Sequence, residues 1–516
     1  MRTRTRALLT TALLGCLATA GAQAAEPNPN ATLIYYDAVG NVTLDPAEPQ
    51  SGSSFSQEVL LALYDTVVYL DDKGNPGPGL AESWQVNPEM TSYTFKLRPG
   101  IKFHDGSDLT ADVVKRNIDR NMALGNKASG AMVDSIKPFA SVEVLGPLEF
   151  RLNLNSPSGQ IPFVMGGIAG MVASAASINN DDFGVSFKAV GTGAYRLQSF
   201  ESNVKTIMAR NDSYWGGTKG RPAVFQHHYV PDGNARLNAV RSGQATIALI
   251  DPRQVPETKS AGLAIQMNEK NGVWDIYINL GKTPLKDLKV RQALMHAIDR
   301  EALADALSFG SSKPTVQFFA QSSPVYDPAL EKLYPYDPKK AKALLAEAGY
   351  KDGIDLTQLL LNTTEYKQLG EALQAMLAES NIRVKFDVVD ASNFNVFRRP
   401  PYRGDYLMAR WGGRADPLQV YQELIATGAT YNPVGVASPE IDTLIAKARG
   451  MLPSDPQRIP VLRQIARVAV ENVAHAPLMT RSNIYAFREG CIMNLKPYLP
   501  FGDDRFNDVQ VSAACK

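Results

Sequence analysis

Leu80-Ala81-Glu82-Ser83-Trp84, Tyr93-Thr94-Phe95-Lys96-Leu97-Arg98-Pro99-Gly100, Lys102-Phe103-His104-Asp105-Gly106 and Leu109-Thr110-Ala111-Asp112-Val113-Val114 follow one another within residues 80–114. Inside this stretch Tyr93–Leu97 alternates apolar and polar side chains, the period of a strand with one buried face. Asp105-Gly106 has the composition of a turn. The same alternation returns at Glu149–Leu154 and at Ile276–Leu280. Further along, the period changes to that of helices. Asp337 is placed to cap a helix with Pro338 in its first turn. Ala341, Leu344, Leu345 and Ala348 then share a face and Gly349 ends it. Pro439 opens a second helix with the stripe Ile441, Leu444, Ile445 and Ala448, closed by Gly450. A third is predicted from about 288 to 307 on Val290, Leu294, Ile298 and Leu303. Strands and helices mixed throughout imply an α/β chain of several lobes. A length of 516 residues suggests about three domains, and no repeat of solenoid length is present.

The N-terminus carries an export signal. Arg2, Arg4 and Arg6 precede the uncharged run Ala7–Leu17, and Ala22-Gln23-Ala24 supplies a small-x-small cleavage site. The run is shorter than the roughly 20 residues needed to cross a bilayer. Leu13-Leu14-Gly15-Cys16 offers a second reading as a lipidation site at Cys16, with cleavage after Ala24 the preferred one. The net charge of +1 gives no electrostatic case for a nucleic-acid partner. Cys491 and Cys515, the two cysteines beyond the signal, are expected to pair in an oxidising compartment.

The motifs of catalysis are missing. There is no phosphate-cradling G-x-x-x-x-G-K-[ST], no H-E-x-x-H, no C-x-x-C and no G-x-S-x-G. Of the five histidines, only His227 and His228 are adjacent, and successive strand residues point to opposite faces, so one metal ion would not easily take both. No catalytic residue, metal ligand or cofactor is assigned.

Beyond residue 114, the motifs continue in order. They are Gly191-Thr192-Gly193-Ala194-Tyr195, Arg210-Asn211-Asp212-Ser213-Tyr214-Trp215, Val290-Arg291-Gln292-Ala293-Leu294 with Ala297-Ile298-Asp299-Arg300, and Tyr336-Asp337-Pro338-Lys339-Lys340-Ala341 running to Ala348-Gly349-Tyr350. The ordered set resembles the extracytoplasmic solute-binding proteins of bacterial ABC importers, family 5, the dipeptide, oligopeptide and nickel group. Ala194 departs from it, standing where the family usually has Pro. The resemblance implies a two-lobed periplasmic-binding-protein fold (type II, Venus-flytrap) with an extra inserted domain. Mapped here, 1–24 is the signal peptide, lobe 1 takes 25–55, 187–283 and 478–516, the inserted domain 56–186, and lobe 2 284–477. It also implies a monomer in the periplasm. That monomer would close on a peptide or small peptide-like or anionic solute and deliver it to ABC permease and ATPase subunits. A nickel or metallophore binder of the same family, and an exported hydrolase, are the competing readings.

For the ligand site, the resemblance points to the segment Ala409-Arg410-Trp411-Gly412-Gly413-Arg414-Ala415-Asp416-Pro417, read as a loop after a strand at 405–408. In peptide binders of the family, the matching Trp is followed three residues later by an Asp that accepts the peptide's amino terminus. Here Arg414 holds that place and the acid comes at Asp416. Three readings stand open: Asp416 meets a cationic amine, Arg414 meets an anion bidentately, or the two pair with each other. Trp411, Trp274 and Arg410 are further candidates for the pocket wall, with Ser53 in a polar loop and Tyr498 and Phe501 in the tail. Tyr214 and Trp215 are read as packing, and Arg291 and Arg300 as a salt-bridged or solvated helix surface.

Overall fold

The computed structural model describes residues 26–48, 57–127, 130–180, 183–184, 188–390, 396–397, 402–429, 431–432, 438–500 and 504–515. The signal segment, Cys16, Ser53 and Phe501 lie outside the described residues. Ten strands form one sheet in the order Ile382–Val389, Ile354–Leu361, Tyr406–Trp411, Leu263–Ile278, His475–Arg488, Ile247–Leu249, Thr32–Asp37, Val224–Tyr229, Lys205–Arg210 and Tyr195–Glu201. The two central strands are the longest, at 16 and 14 residues, and pair antiparallel along their length. Leu263–Lys270 pairs with Arg481–Arg488, whereas Val273–Ile278 lies between His475–Thr480 and Tyr406–Trp411. The register breaks between Lys270 and Val273. Gly272 sits at that break, and a Cβ there would stand 2.2 Å from the Trp411 carbonyl oxygen. Only glycine lets the crossing strand pass so close to the end of its neighbour.

Two large apolar cores follow this division. One draws on residues from Val273 to Met479, including Ile276, Leu294, Leu373, Leu407 and Leu462. The other gathers Leu33, Leu60, Phe95, Phe150, Met208, Phe225 and Val509. The second core also takes in the separate four-stranded sheet ordered Ala81–Val86, Ser92–Leu97, Glu149–Leu154 and Phe139–Gly146. The segment expected as an inserted domain therefore shares a core with residues from the N-terminal strand, from 189–247 and from the C-terminal tail.

Local signals explain most elements. Asp337 accepts from the Lys340 amide at 2.9 Å and starts Pro338–Glu347, after which Gly349 turns at a φ of +92°. Ser438 caps Pro439–Arg449 through the Ile441 amide. The helix expected over 288–307 is two helices, Leu288–His296 and Arg300–Ser308, because Asp299 accepts from the Ala302 amide and begins the second one. Arg300, read as a surface residue, is buried and donates to the carbonyls of Pro477 and Met295. Cys491 and Cys515 form a disulfide with Cα atoms 4.6 Å apart. Cys491→Ser is expected to lower stability by about 3 kcal/mol, the loop-closure contribution for a separation of 24 residues. Urea unfolding of the two forms checks this, and an unchanged midpoint would mean that the tail is held by its other contacts. Among the described residues no helix is long and apolar enough to cross a membrane.

Candidate functional site

A cavity of about 1590 Å³ opens where the two halves of the large sheet meet. Cross-strand register builds one wall. Trp274 faces Arg410 across the ladder, and Val273 faces Trp411. Side chains directly opposite lie on one face, so the Arg410 guanidinium sits 5.7 Å from the Trp274 ring centroid. Tyr366 packs edge-on against Trp274 at 5.1 Å, and Tyr431 against Trp411 at 5.3 Å. Trp274, Arg410, Trp411 and Arg414, the candidates from the sequence, all border the cavity. The Trp411 indole N–H is buried and has no acceptor among the described residues. Arg481, on the crossing strand, also borders the cavity and reaches the Trp411 carbonyl at 3.5 Å.

The segment read as a loop is shorter than expected. The strand runs on through Trp411, and a helix begins at Pro417, leaving only 412–415 between defined elements and the cap. Asp-Pro is a cap followed by the favoured first helical residue. The Asp416 carboxylate accepts from the Leu418 amide at 3.1 Å. It also accepts two bonds from Arg458, at 2.8 and 2.7 Å, and one from Gln160 at 2.9 Å. Its side chain is 0 % exposed and does not border the cavity. The reading of Asp416 as a ligand for an amine is therefore corrected, and so is its pairing with Arg414. Arg414 instead makes a bidentate pair with Glu423, at 2.9 and 2.6 Å, while its guanidinium stacks 4.5 Å over the Trp411 ring. Burial pushes the Glu423 carboxyl up to about 7, with Arg414 pulling the other way. An anionic solute would thus have to share Arg414 with this acid.

Tyr498 is displaced from the expected place. It is buried and borders a separate cavity of about 280 Å³ with Asp65, Tyr214, Trp215 and Arg505. Tyr214 and Trp215, read as packing residues, both donate to the Asp65 carboxylate, at 2.9 and 2.7 Å.

Sequence reading missed two groups in the main cleft. Lys270, at the register break, forms a buried ion pair with Asp504, which also accepts from the Tyr485 hydroxyl at 2.8 Å. Asp37 and Glu58 border the cavity and converge on buried His227, whose Nε2 lies 3.1 Å from Asp37 and 3.0 Å from Glu58. These residues come from distant segments, and no spacing motif links them. Arg410 and Arg414 thus lie toward one half of the cleft, with Glu365 beside them, and Asp37, Glu58 and Asp504 toward the other, which also holds Arg253.

The profile of the bacterial extracellular solute-binding proteins, family 5 Middle, matches residues 75–432. The glutathione-binding protein of Salmonella paratyphi A is 29 % identical over 367 residues, which cover 69 % of either chain. Among solved structures, the periplasmic binding protein DppA of Helicobacter pylori, in complex with the peptide STSA, has a TM-score of 0.82 at 22 % identity, covering 94 % of this chain and 98 % of its own. AgaA of A. tumefaciens R10, in complex with agropinic acid, has a TM-score of 0.81 at 23 % identity, covering 93 % and 99 %. At these identities the structural matches establish a shared fold.

Proposed function

This chain belongs to the bacterial extracellular solute-binding proteins of family 5, and from that premise we propose that it captures a small peptide or peptide-like acid in its cleft and hands it to an ABC importer. The observation that carries the ligand class is that Trp274, Arg410, Trp411 and Arg414 all line the cavity. Flat aromatic faces and guanidinium groups at a strand end suit a solute with carboxylates on an apolar frame. The cavity exceeds the 300–1,000 Å³ typical of drug-sized ligands, which leaves room for a short peptide. Glutathione, for which the Salmonella relative is named, has carboxylates for the arginine side and an ammonium for the acidic side.

Two strands cross between the halves, so the lobes are joined by a double hinge. The register break at Lys270–Val273 supports a crossing there and at Thr480–Arg481, earlier in the chain than residue 283. A solute touching both lobes stabilises the closed state by its differential affinity for closed over open. The export signal supports a periplasmic location, and membership of the family supports work with a membrane permease and its ATPase.

The test is native mass spectrometry of the purified protein, identification of any released solute, and calorimetry with glutathione, other tripeptides and opine-type acids. Saturable one-to-one binding without product formation is the expected result. Catalytic turnover of these compounds, or no binding of any peptide-like acid, would overturn the proposal.

A further inference from the structure

We propose that Asp37, Glu58 and His227 form a site for a divalent transition-metal ion in the wall of the cleft, with an open coordination position facing the cavity. The backbone brings the three together. The strand Thr32–Asp37 pairs in parallel with Val224–Tyr229, with Tyr35 opposite His227. Alternation then puts Tyr35, Asp37 and His227 on one face. The helix Gln57–Leu63 delivers Glu58 to the same point. Each residue offers one ligand atom, and these atoms lie within 4.8 Å of one another. The Tyr35 ring, 5.4 Å from the imidazole and edge-on to it, packs against its side. One imidazole nitrogen and two carboxylate oxygens are a donor set for zinc, nickel or manganese.

Charge is the stronger argument. A bare imidazole lone pair aimed at two carboxylates is repulsive, so a cation has to sit between them. A proton on Nε2 meets only part of the need. One N–H points at one acceptor, and here it bonds Asp37. Both Glu58 oxygens are buried and, although Oε1 lies 3.0 Å from Nε2, neither takes a well-aligned hydrogen bond among the described residues, and an unsatisfied buried carboxylate is costly. Two ionised carboxylates call for two positive charges between them. A divalent ion in place of that proton would ligate all three groups and cancel the charge. Asp37 and Glu58 border the cavity and His227 does not. The ion would therefore have protein on one side and, on the other, a position for water or a donor atom of a solute, the arrangement of metal sites that keep an exchangeable ligand.

Calorimetric titration of the purified, chelator-stripped and dialysed protein with ZnCl2, NiCl2 and MnCl2, with no solute present, tests the site. One saturable site for at least one of these ions is expected, with a rise in melting temperature on binding. Glu58→Gln and Asp37→Asn should each weaken it more than about 100-fold, since even groups behind metal ligands cost up to that much. Absence of saturable binding, or binding that survives both substitutions, would overturn the proposal. Both variants keep side-chain shape, and melting curves taken without metal identify one that fails to fold, leaving the other to decide. Because solute is absent, a negative result leaves solute capture standing, and loss of solute binding leaves the metal site standing.

Discussion

Asp416→Ala is expected to destabilise the protein by about 3–5 kcal/mol, the cost of leaving one partner of a buried ion pair alone. Arg458 would lose both of its bonds to the carboxylate while remaining buried, its side chain 3 % exposed. The helix Pro417–Leu424 would lose its cap, which alone is worth about 1 kcal/mol, and Gln160 would lose an acceptor. Urea unfolding measures the loss. Solute affinity of the folded protein should be unchanged, because Asp416 does not border the cleft. The opposite pattern, lost affinity at unchanged stability, would return Asp416 to the binding site.

Arg410→Ala is expected to do the reverse, weakening solute binding about 10- to 100-fold with little change in melting temperature. Removing a hydrogen bond to a charged partner costs about 1.5–3 kcal/mol, and each 1.4 kcal/mol is about tenfold in affinity. The Arg410 side chain is 26 % exposed and its acid neighbour Glu365, 3.5 Å away, is 50 % exposed. Truncation at Arg410 therefore strands no buried charge. Arg414 differs, because it pairs with a buried acid. In Arg414→Ala the Glu423 carboxyl, already pushed up to about 7 with its partner present, would take up a proton at neutral pH. The stability cost is then that of a buried neutral group without its partner, about 1–3 kcal/mol. Calorimetry and melting curves on the two variants separate the cases. Arg410→Ala with wild-type affinity would remove the arginine wall from the solute site.

The local chemistry of the chain was legible where one residue decides one geometry. Asp337-Pro338 and Ser438-Pro439 open helices as their types require. Where the same chemistry went unread, the expectation failed. Asp416-Pro417 is also a cap, and reading it as ligand chemistry made a loop out of a strand end. Asp299 likewise divides a stripe that looks continuous in period, because a cap interrupts the backbone without disturbing the spacing of apolar residues.

From the sequence alone came the expectation of an export signal, the α/β class, the cysteine pair and the ordered motifs of a solute-binding family. All of these rest on local composition or on order along the chain. Only the tertiary structure decided which charges meet. Arg414 stands two residues from Asp416 yet pairs with Glu423, nine residues on, where the helix Pro417–Leu424 brings the acid back to the guanidinium that stacks over Trp411. Asp37, Glu58 and His227 meet from three segments that share no spacing. Ion pairing and metal ligation depend on distance in space and on burial, and neither is written in the interval between residues along a chain.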